Sequence, residues 1–411
     1  MIIKELKLIC FRNYDRLTIH PNEHINLFFG QNGSGKTNLL EAIHYCSLGK
    51  SHRTSHDQPV IQKDSDFASC QVTVQSRYVK QNISVQLSGN NAIKKSICLD
   101  QKKIDRFSEL MGCLQCVIFS PEDLDLIKGG PSVRRRYLDM MISQINRKYF
   151  IALQQYKIGL EQRNAILKNC RMLSQKDHYM LDDFENGMAG AAEIIISERR
   201  KMISILQSES SEIYRHISGK ENEIFEISYH SFLGEKENIR DAFLSQLRNN
   251  RDNDIRLGVT SAGPHRDDLN MTLNKNPMKL IASQGQIRTG ALSLKLAQLK
   301  VIQKVSGENP VLLLDDVMSE LDFGRRGQLL QEIRNLQTFI TCTDLSDLDI
   351  RDTKQVFIVS SAEGKASVSE LNQKYDDAPT DMPVKESEID RKRQNKEEDD
   401  CSDPGLAGNV F

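Results

Sequence analysis

The sequence predicts an α/β fold in which a mixed sheet with flanking helices is interrupted by a short helical insertion. A glycine-rich loop at residues 30–37 joins an apolar segment to a helix-like segment. Apolar side chains then recur, mostly every fourth residue, between positions 131 and 217, which favours long amphipathic helices. Strand-like segments return at residues 224–230 and 311–314. The sheet is therefore expected to form from both sides of the insertion.

The glycine-rich loop fits the phosphate-binding pattern Gly-x4-Gly-Lys-[Ser/Thr] at every position. Ile25–Phe29 is predicted to be the strand before it, and residues 37–48 the helix after it, ended by Gly49. Glycine lets backbone N–H groups converge on one phosphate chain, and a helix N-terminus adds positive charge beneath it. We therefore expect the loop to bind a nucleotide through Gly30, Gln31, Asn32, Gly33, Ser34, Gly35, Lys36 and Thr37.

Two side chains of the loop have specific predicted roles. Lys36 is placed to reach the β- and γ-phosphates as a catalytic residue, and the Thr37 hydroxyl is placed to hold Mg²⁺. The alternative is a glycine-rich turn with a chance lysine, which the flanking strand and helix disfavour.

The composition is that of a soluble protein of two domains, or of one large domain with an insertion. Of the 411 residues, 39% are hydrophobic and 27% are charged. No apolar run approaches membrane-spanning length and the N-terminus lacks a signal peptide, so a cytoplasmic protein is expected. The nine cysteines are scattered apart from Cys113 and Cys116, and no second pair follows at metal-ligand spacing. Structural thiols in a reducing compartment are therefore favoured.

The formal net charge of −1 hides an uneven distribution. Residues 376–403 contain eleven acidic and five basic side chains, a net charge of −6, so the remainder carries +5. A mildly basic body is compatible with nucleic-acid binding. The segment beyond Tyr375 is polar and charged and is expected to be disordered. A solvated extension is favoured over a regulatory tail.

The apolar residues of the insertion predict two helices, over residues 131–170 and 181–217, with a turn near residues 174–178. Two antiparallel helices would form an arm. Neither helix carries heptads long enough for an extended coiled coil.

Residues 311–314 read as an apolar strand that ends in two carboxylates, Asp315 and Asp316. A buried parallel strand of this kind can deliver an Mg²⁺-coordinating Asp beside a phosphate loop. We assign Asp315 to the metal and Asp316 to orienting or deprotonating the attacking water. The alternative is a core strand that ends in a solvated Asp pair, and the phosphate loop upstream favours the metal site.

Ser283-Gln284-Gly285-Gln286 opens a predicted helix and resembles the signature of ABC-type ATPases, Leu-Ser-Gly-Gly-Gln, with Gln284 replacing the first glycine. Residues 317–322 have the form of the D-loop of the same class. In ABC-type ATPases the signature faces the γ-phosphate held by the partner subunit. The resemblance therefore implies nucleotide contacts across a dimer from Ser283, Gly285, Gln286 and Asp322.

With these elements in this order, the chain resembles the RecF family of bacterial recombination and repair ATPases, relatives of the SMC proteins. The resemblance covers roughly residues 1–360. Besides the nucleotide motifs, the matching stretches are Phe-Arg-Asn-Tyr at 11–14, Asn-Leu-Leu-Glu-Ala-Ile at 38–43, Phe-Ser-Pro-Glu-Asp-Leu at 119–124, Arg-Arg-Arg-Tyr-Leu-Asp at 134–139 and Gly-Pro-His-Arg-Asp-Asp at 263–268.

The resemblance implies an ABC-type P-loop ATPase head with a short helical arm, ATP and Mg²⁺ as cofactors, and a homodimer formed with ATP. It implies binding to single-stranded and linear double-stranded DNA and to gap junctions. RecR and RecO are the implied partners in loading RecA, in support of the SOS response. ATP turnover is expected to be weak, DNA-stimulated and used as a switch. No membrane partner is expected.

The expected domain organisation follows the motifs. Residues 1–125 are the N-terminal half of the head, 126–222 the helical arm, 223–372 the C-terminal half of the head, and 373–411 the acidic tail.

Some positions depart from the general ABC pattern. Asp316 stands where a catalytic glutamate is usual, and its shorter side chain predicts slow hydrolysis. The switch histidine is absent, with Thr343 closest to its position, and Ile287 follows the signature where a polar residue is common.

Several basic residues have two interpretations. Arg12 is expected either to contact the nucleotide or to lie on the surface. Arg134, Arg135 and Arg136 begin the first arm helix, and DNA-phosphate contacts and anchoring on acidic residues of the head are equally favoured. Arg53, with His52, lies in a loop where DNA or nucleotide contact is a weaker expectation. For His265 and Arg266, an internal salt-bridge turn explains the pattern as well as ligand contact does.

Two other classes of protein carry part of this set of motifs. The ATPase subunit of a membrane transporter shares the signature and D-loop, but not the helical insertion or the family stretches. A P-loop kinase or other catabolic enzyme is disfavoured by the signature.

Overall fold

A computed structural model describes residues 1–54, 56–89, 92–169, 175–344 and 355–371 of the chain. The predicted acidic tail at residues 373–411 lies outside the described residues. Strands and helices are numbered below in chain order.

The central sheet consists of six strands in the order β15-β14-β3-β13-β12-β8. All neighbours pair in parallel except β14 and β15, which are antiparallel. The sheet joins segments from both halves of the chain, as expected. Its strands are β3 (Ile25–Phe29), β8 (Cys116–Phe119), β12 (Val311–Leu314), β13 (Thr338–Cys342), β14 (Gln355–Ala362) and β15 (Lys365–Glu370).

Both faces of the central sheet are covered, which explains why its strands are apolar runs rather than alternating ones. Leu312 and Leu314 point into a core shared with the helices of the insertion and of the second half of the chain. Leu313 and Phe28 point into a second core, shared with the first sheet and the phosphate-loop helix.

The first sheet is antiparallel, in the order β2-β1-β4-β5-β6-β7. It covers the phosphate-loop helix α1 (Lys36–Leu48), which ends at Gly49 in a left-handed conformation, φ 60°. The strands are β1 (Ile2–Phe11), β2 (Tyr14–Ile19), β4 (Phe67–Gln75), β5 (Lys80–Ser88), β6 (Lys94–Leu99) and β7 (Lys102–Lys103).

The prediction of one continuous helix over residues 131–170 is wrong. It is divided at Asn146 into α3 (Pro131–Ile145) and α4 (Arg147–Asn169). Asn146 adopts an extended conformation, φ −138° and ψ 97°, and its side-chain oxygen accepts the Tyr149 amide at 3.1 Å. Asparagine competes for backbone bonds in this way and favours a helix start over a helix interior.

Helix α5 (Gln175–Ser218) begins earlier than expected, within the predicted turn, of which residue 174 is not described. It runs antiparallel to α4, because Arg163 pairs with Glu185 at 3.0 Å while Tyr149 bonds Arg199 at 3.0 Å. Its apolar residues from Met188 onward share one core with the central sheet. The expected domain boundaries stay predictions.

The second half of the chain adds a small sheet, β9 (Phe225–His230), β10 (Asp268–Leu273) and β11 (Asn276–Pro277), in the order β11-β10-β9. Its helices are α6 (Ile239–Asn249), α7 (Arg251–Leu257), α8 (Met278–Ile281), α9 (Gln284–Ser306) and α10 (Phe323–Ile333), and the short α2 (Asp125–Lys128) precedes α3. Among the described residues, no helix has both the length and the apolar character that a membrane crossing requires.

Candidate nucleotide-binding site

The parallel strands of the central sheet bring the predicted motifs to one edge. Strands β3, β12 and β8 all end there, and they are followed by Gly30, Asp315 and Ser120, respectively. Strand β13 lies between β3 and β12, so it places Thr341 between the phosphate loop and the acidic pair. Segments separated by almost 300 residues thus meet at one site because their strands are parallel.

The phosphate loop requires its glycines. A Cβ atom at Gly30 would lie 2.1 Å from the Val359 carbonyl oxygen. Gly35 has φ 116°, and a Cβ there would lie 2.8 Å from Asn13 Nδ2. The Ser34 hydroxyl is buried without a hydrogen-bond partner among the described residues. An unpaired buried donor within this loop fits an anionic ligand.

Lys36 is buried, and its Nζ donates to the carbonyl oxygens of Gly30 at 2.8 Å and Gln31 at 3.0 Å. The ammonium group is therefore held against the first carbonyl groups of its own loop. This is the position from which a lysine reaches bound phosphates.

Side chains that follow β1 donate hydrogen bonds to carbonyl groups of the phosphate loop. Asn13 Nδ2 donates to the Ser34 carbonyl at 3.2 Å, and the Tyr14 hydroxyl donates to the Gly35 carbonyl at 3.1 Å. Asn38, on α1, donates to Asn13 Oδ1 at 2.8 Å. The Phe-Arg-Asn-Tyr stretch signalled a match to a family, but only the tertiary contacts reveal that its polar side chains hold the loop carbonyls.

Asp315 meets the phosphate loop directly. Its Oδ1 accepts hydrogen bonds from Thr37 Oγ1 at 2.8 Å and from Thr341 Oγ1 at 2.9 Å. Burial raises the pKa of the Asp315 carboxyl above its ordinary value, and the negative charges of Asp316 and Glu122 raise it further, against the two hydrogen bonds. An anionic carboxylate here gains from a nearby cation.

The number of protein ligands that this site offers is compatible with Mg²⁺. No group of three or more acidic, His or Cys side chains converges among the described residues. Mg²⁺ at phosphate sites typically uses one or two protein ligands and takes the rest from phosphate oxygens and water. Thr37 and Asp315 therefore suffice as protein ligands. Thr341 and Glu122 were missed at the sequence level; Glu122 belongs to the matched stretch 119–124, and Thr341 follows from the pairing of β12 with β13.

Asp316 follows in a left-handed conformation, φ 52°. Its amide donates to Thr341 Oγ1 at 2.9 Å, and its carbonyl accepts the Ser319 hydroxyl at 2.8 Å. Aspartate tolerates this conformation better than most side chains, because its short polar group can bond locally.

Arg12 is oriented by a buried carboxylate rather than exposed. Its Nε and Nη2 donate to Glu41 at 2.8 and 2.6 Å, and Glu41 is fully buried on α1. Arg53 lies 3.8 Å from the same carboxylate and donates to Asn38 Oδ1 at 3.1 Å. Both arginines thus lie against the phosphate-loop helix.

The signature segment begins α9 with a capping box. Ser283 Oγ accepts the Gln286 amide at 3.3 Å, and Gln286 Oε1 accepts the Ser283 amide at 2.8 Å. Asp322 caps α10 in turn, accepting the Arg325 amide at 3.0 Å. The Arg325 guanidinium lies 3.7 Å from the Cβ position of Gly285, so the signature and D-loop are neighbours.

Ser283 and Gln284 are exposed. Among the described residues, no hydrogen bond or ion pair joins residues 283–286 to the phosphate loop of the same chain. The start of the signature segment is therefore exposed at the surface of the subunit.

The arginine run at the start of α3 divides into different environments. Arg134 is buried and forms a two-bond ion pair with Asp268, at 2.7 and 2.8 Å, which is the anchoring interpretation. Arg135 donates to the Asp267 carbonyl at 2.8 Å. Arg136 is exposed, and its Nη2 donates to the Ser51 carbonyl at 3.5 Å.

Contacts with the helices of the insertion, rather than ion pairs within the turn, hold the turn at residues 265–268. His265 Nδ1 accepts the Tyr156 hydroxyl at 2.6 Å, and burial lowers the pKa of His265 to about 4. Asp267 pairs with Arg199 at 3.5 Å. These contacts are structural, since each ties the turn to the helices of the insertion.

Comparisons with known proteins agree with this architecture. Residues 2–368 match the RecF/RecN/SMC N terminal domain family. A DNA replication and repair protein RecF from Clostridium perfringens is 43% identical over 348 residues, 85% of this chain and 94% of the relative.

Solved structures extend the likeness to the fold. The recombination mediator protein RecF with ATP, from the RecFOR pathway, superposes with a TM-score of 0.82 at 35% identity, covering 90% of this chain and 98% of that one. The Smc head domain of Pyrococcus furiosus, bound to the C-terminal domain of ScpA, has a TM-score of 0.52 at 17% identity, covering 97% and 99%, and shares the fold alone. The predicted ATPase-head fold is confirmed, and the chain belongs to the RecF family of DNA replication and repair proteins.

Proposed function

We propose that this chain binds ATP with Mg²⁺ and closes as a homodimer on DNA, as a switch in recombinational repair and replication restart. The observation that carries the proposal is the hydrogen bond from Thr37 to Asp315 across the sheet edge, which assembles the phosphate loop and the metal carboxylate in one site. A solved relative at 35% identity is described with ATP, which supports the choice of nucleotide.

The roles within the site follow from chemistry. The backbone of residues 30–35 and Lys36 bind the phosphates, and Thr37 and Asp315 hold Mg²⁺, which would neutralise phosphate charge. Asp316 orients the attacking water. Ser283 and Asp322 are assigned to the ATP of the partner subunit. Both are exposed, and in the described part of the chain no hydrogen bond or ion pair joins either to its own phosphate loop.

DNA, RecO and RecR are the proposed partners. The curated relatives are DNA replication and repair proteins, and the solved relative is described within the RecFOR pathway. Among the arginines, the exposed Arg136 and Arg53 are the proposed DNA contacts. The transporter alternative is not favoured, since the sequence relatives are RecF proteins.

The test compares Lys36→Met, which removes phosphate binding, with Ser283→Arg, which changes only the outward half-site. We expect Lys36→Met to abolish ATP binding. Ser283→Arg should bind ATP normally and fail to dimerise, as measured by sedimentation with and without ATP. Normal ATP-dependent dimerisation of Ser283→Arg contradicts the composite site.

A second measurement addresses DNA. Binding to gapped DNA is followed with and without ATP over a salt series. Tighter binding with ATP, with a steep loss at higher salt, is expected for a clamp that neutralises phosphates. Binding that ignores the nucleotide contradicts the coupled mechanism.

A further inference from the structure

The signature helix α9 carries a buried lysine that points back to the chain's own acidic edge. The Lys295 side chain is 9% exposed. Its Nζ donates to the Ile118 carbonyl at 2.9 Å, lies 2.7 Å from Asp123 Oδ1, and lies 5.5 Å from the centre of the Tyr137 ring. A buried ammonium with this many partners has one strongly preferred position.

The partner carboxylate belongs to the turn that follows β8. Asp123 Oδ2 accepts the Ser120 amide at 2.9 Å, so the same carboxylate shapes the turn and binds the lysine. The Asp315 amide donates to the Phe119 carbonyl at 2.9 Å, so the turn that begins at Ser120 starts beside Asp315. The turn at residues 120–124 therefore borders the proposed metal site.

A second contact leads from α9 to the same edge. Arg288 lies 3.5 Å from the Glu320 carboxylate and donates to the Glu320 carbonyl at 3.3 Å. Glu320 belongs to the short turn after Asp316. The signature helix is thus joined to the acidic edge of its own subunit at two positions.

We propose that Lys295 is a positioning residue that couples the nucleotide state of its own site to the orientation of the signature helix, and so to the ATP held by the partner. The inference rests on the proposed ATP-dependent homodimer. Separating Asp123 from Lys295 would leave a buried charge unpaired, which is strongly unfavourable. The turn and the helix therefore move together when ATP binds beside the turn.

The surroundings permit such a movement. Lys295 and Asp123 face a cavity of about 520 Å³, also lined by Gln298, whose Oε1 is buried without a partner among the described residues. A shift into this space does not require close-packed side chains to be displaced.

The experiment uses the full chain with Lys295→Gln, and Lys300→Gln as its matched control. Lys300 lies on the same helix, but its partly exposed ion pair, at 3.1 Å, is with Glu332 of α10 rather than with the turn. Two quantities are measured for each protein: the affinity of the monomer for ATP, and the dimer dissociation constant in ATP and in ADP.

We expect Lys295→Gln to bind ATP with an affinity within about twofold of that of the wild type. Its dimerisation in ATP should weaken by about tenfold, a change typical of coupling between two sites. The difference between ATP and ADP in driving dimerisation should shrink accordingly. Lys300→Gln should behave as wild type. Lys295→Arg, which keeps the charge, should restore part of the coupling, whereas a loss due only to general destabilisation would follow the melting temperature.

Asp123→Asn provides an independent variant, because its amide oxygen can still accept the Ser120 amide. It should show the same selective loss if the Lys295–Asp123 pair transmits the signal. Wild-type dimerisation by either folded variant would falsify the coupling. Failure of the wild-type protein to dimerise in ATP would instead contradict the proposed function, whatever Lys295 does.

Discussion

The Thr37 hydroxyl donates a 2.8 Å hydrogen bond to Asp315, although the two residues are 278 positions apart. Thr37 lies in the first turn of the phosphate-loop helix α1, which follows β3. Asp315 directly follows the buried strand β12, which is separated from β3 in the central sheet by β13. Their contact defines the proposed Mg²⁺ site.

Replacing Thr37 with valine removes this hydroxyl while keeping the shape of the side chain. We expect the affinity for Mg²⁺–ATP to fall by about tenfold or more, since one strong polar contact is typically worth 1–3 kcal/mol. Thr18→Val changes an exposed threonine of β2 and serves as control. Titration of each variant with ATP, with and without Mg²⁺, is the measurement. Equal Mg²⁺ dependence in both variants would contradict the metal role.

Replacing Asp316 with asparagine keeps a residue that tolerates the left-handed backbone and removes the carboxylate. ATP turnover should fall by about 10²-fold or more, the usual contribution of a general base. ATP affinity and melting temperature should stay near wild type, and the ATP-bound dimer should persist longer. Glu161→Gln, which removes an exposed acidic side chain of α4, is the control for loss of a negative charge. Unchanged turnover in Asp316→Asn would remove Asp316 from the proposed mechanism.

Replacing Arg134 with alanine tests anchoring against DNA contact. Because it leaves Asp268 partly buried and unpaired, we expect a loss of roughly 2–4 kcal/mol in the free energy of unfolding. Lys157→Ala breaks an exposed pair with Glu161, 3.9 Å apart, and should cost less than about 0.5 kcal/mol. Urea unfolding of both variants measures the difference. A stable Arg134→Ala variant with weakened DNA binding would favour the phosphate-contact interpretation instead.

Replacing Arg136 with alanine should have the opposite profile. Its guanidinium is exposed and has no ion pair among the described residues, so stability should hardly change. If it neutralises one DNA phosphate, the slope of log affinity against log salt should fall by about 0.9. Gapped-DNA titrations at several salt concentrations measure this slope. The same slope in the variant and the wild type would exclude Arg136 as a phosphate contact.

Replacing His265 with glutamine should reduce the sensitivity of stability to acid. The folded-state pKa of His265 is about 4, below the ordinary value of 6.5, because the ring is buried. As pH falls from 7 to 4, the unfolded state gains this proton first, so the contribution of His265 to stability is lost on acidification.

The wild type should therefore lose about 1–2 kcal/mol more than His265→Gln between pH 7 and pH 5. The exposed His20→Gln should lose as much as the wild type. Urea unfolding at the two pH values compares the three proteins. An equal loss in His265→Gln and wild type would show that burial does not shift this group.

Short sequence patterns predicted the elements whose structure depends on consecutive residues of the chain. The glycines, Lys36 and Thr37 identified a phosphate loop, because strand, loop and helix are consecutive in the chain. The apolar run 311–314 and its terminal carboxylates identified a buried strand for the same reason. The break at Asn146 was not anticipated, since the apolar spacing continues through it and the break depends on one side chain capping the next helix.

The partners of charged side chains could not be predicted in the same way. The run of three arginines at 134–136 looked uniform in sequence. Its members differ in their surroundings. Arg134 pairs with Asp268, which strand β10 brings near, whereas Arg136 is exposed. Lys295 carried no sequence signal at all, and its proposed role depends on its contacts with Ile118 and Asp123.

The sequence by itself predicted a nucleotide-binding loop and an ABC-type signature on the same subunit. The tertiary structure decided which side chains act together: Thr37 with Asp315, Arg12 with Glu41, and Lys295 with Asp123. The physical reason is that a phosphate loop depends on backbone conformation within eight residues, whereas a buried ion pair or metal site depends on which strands lie side by side.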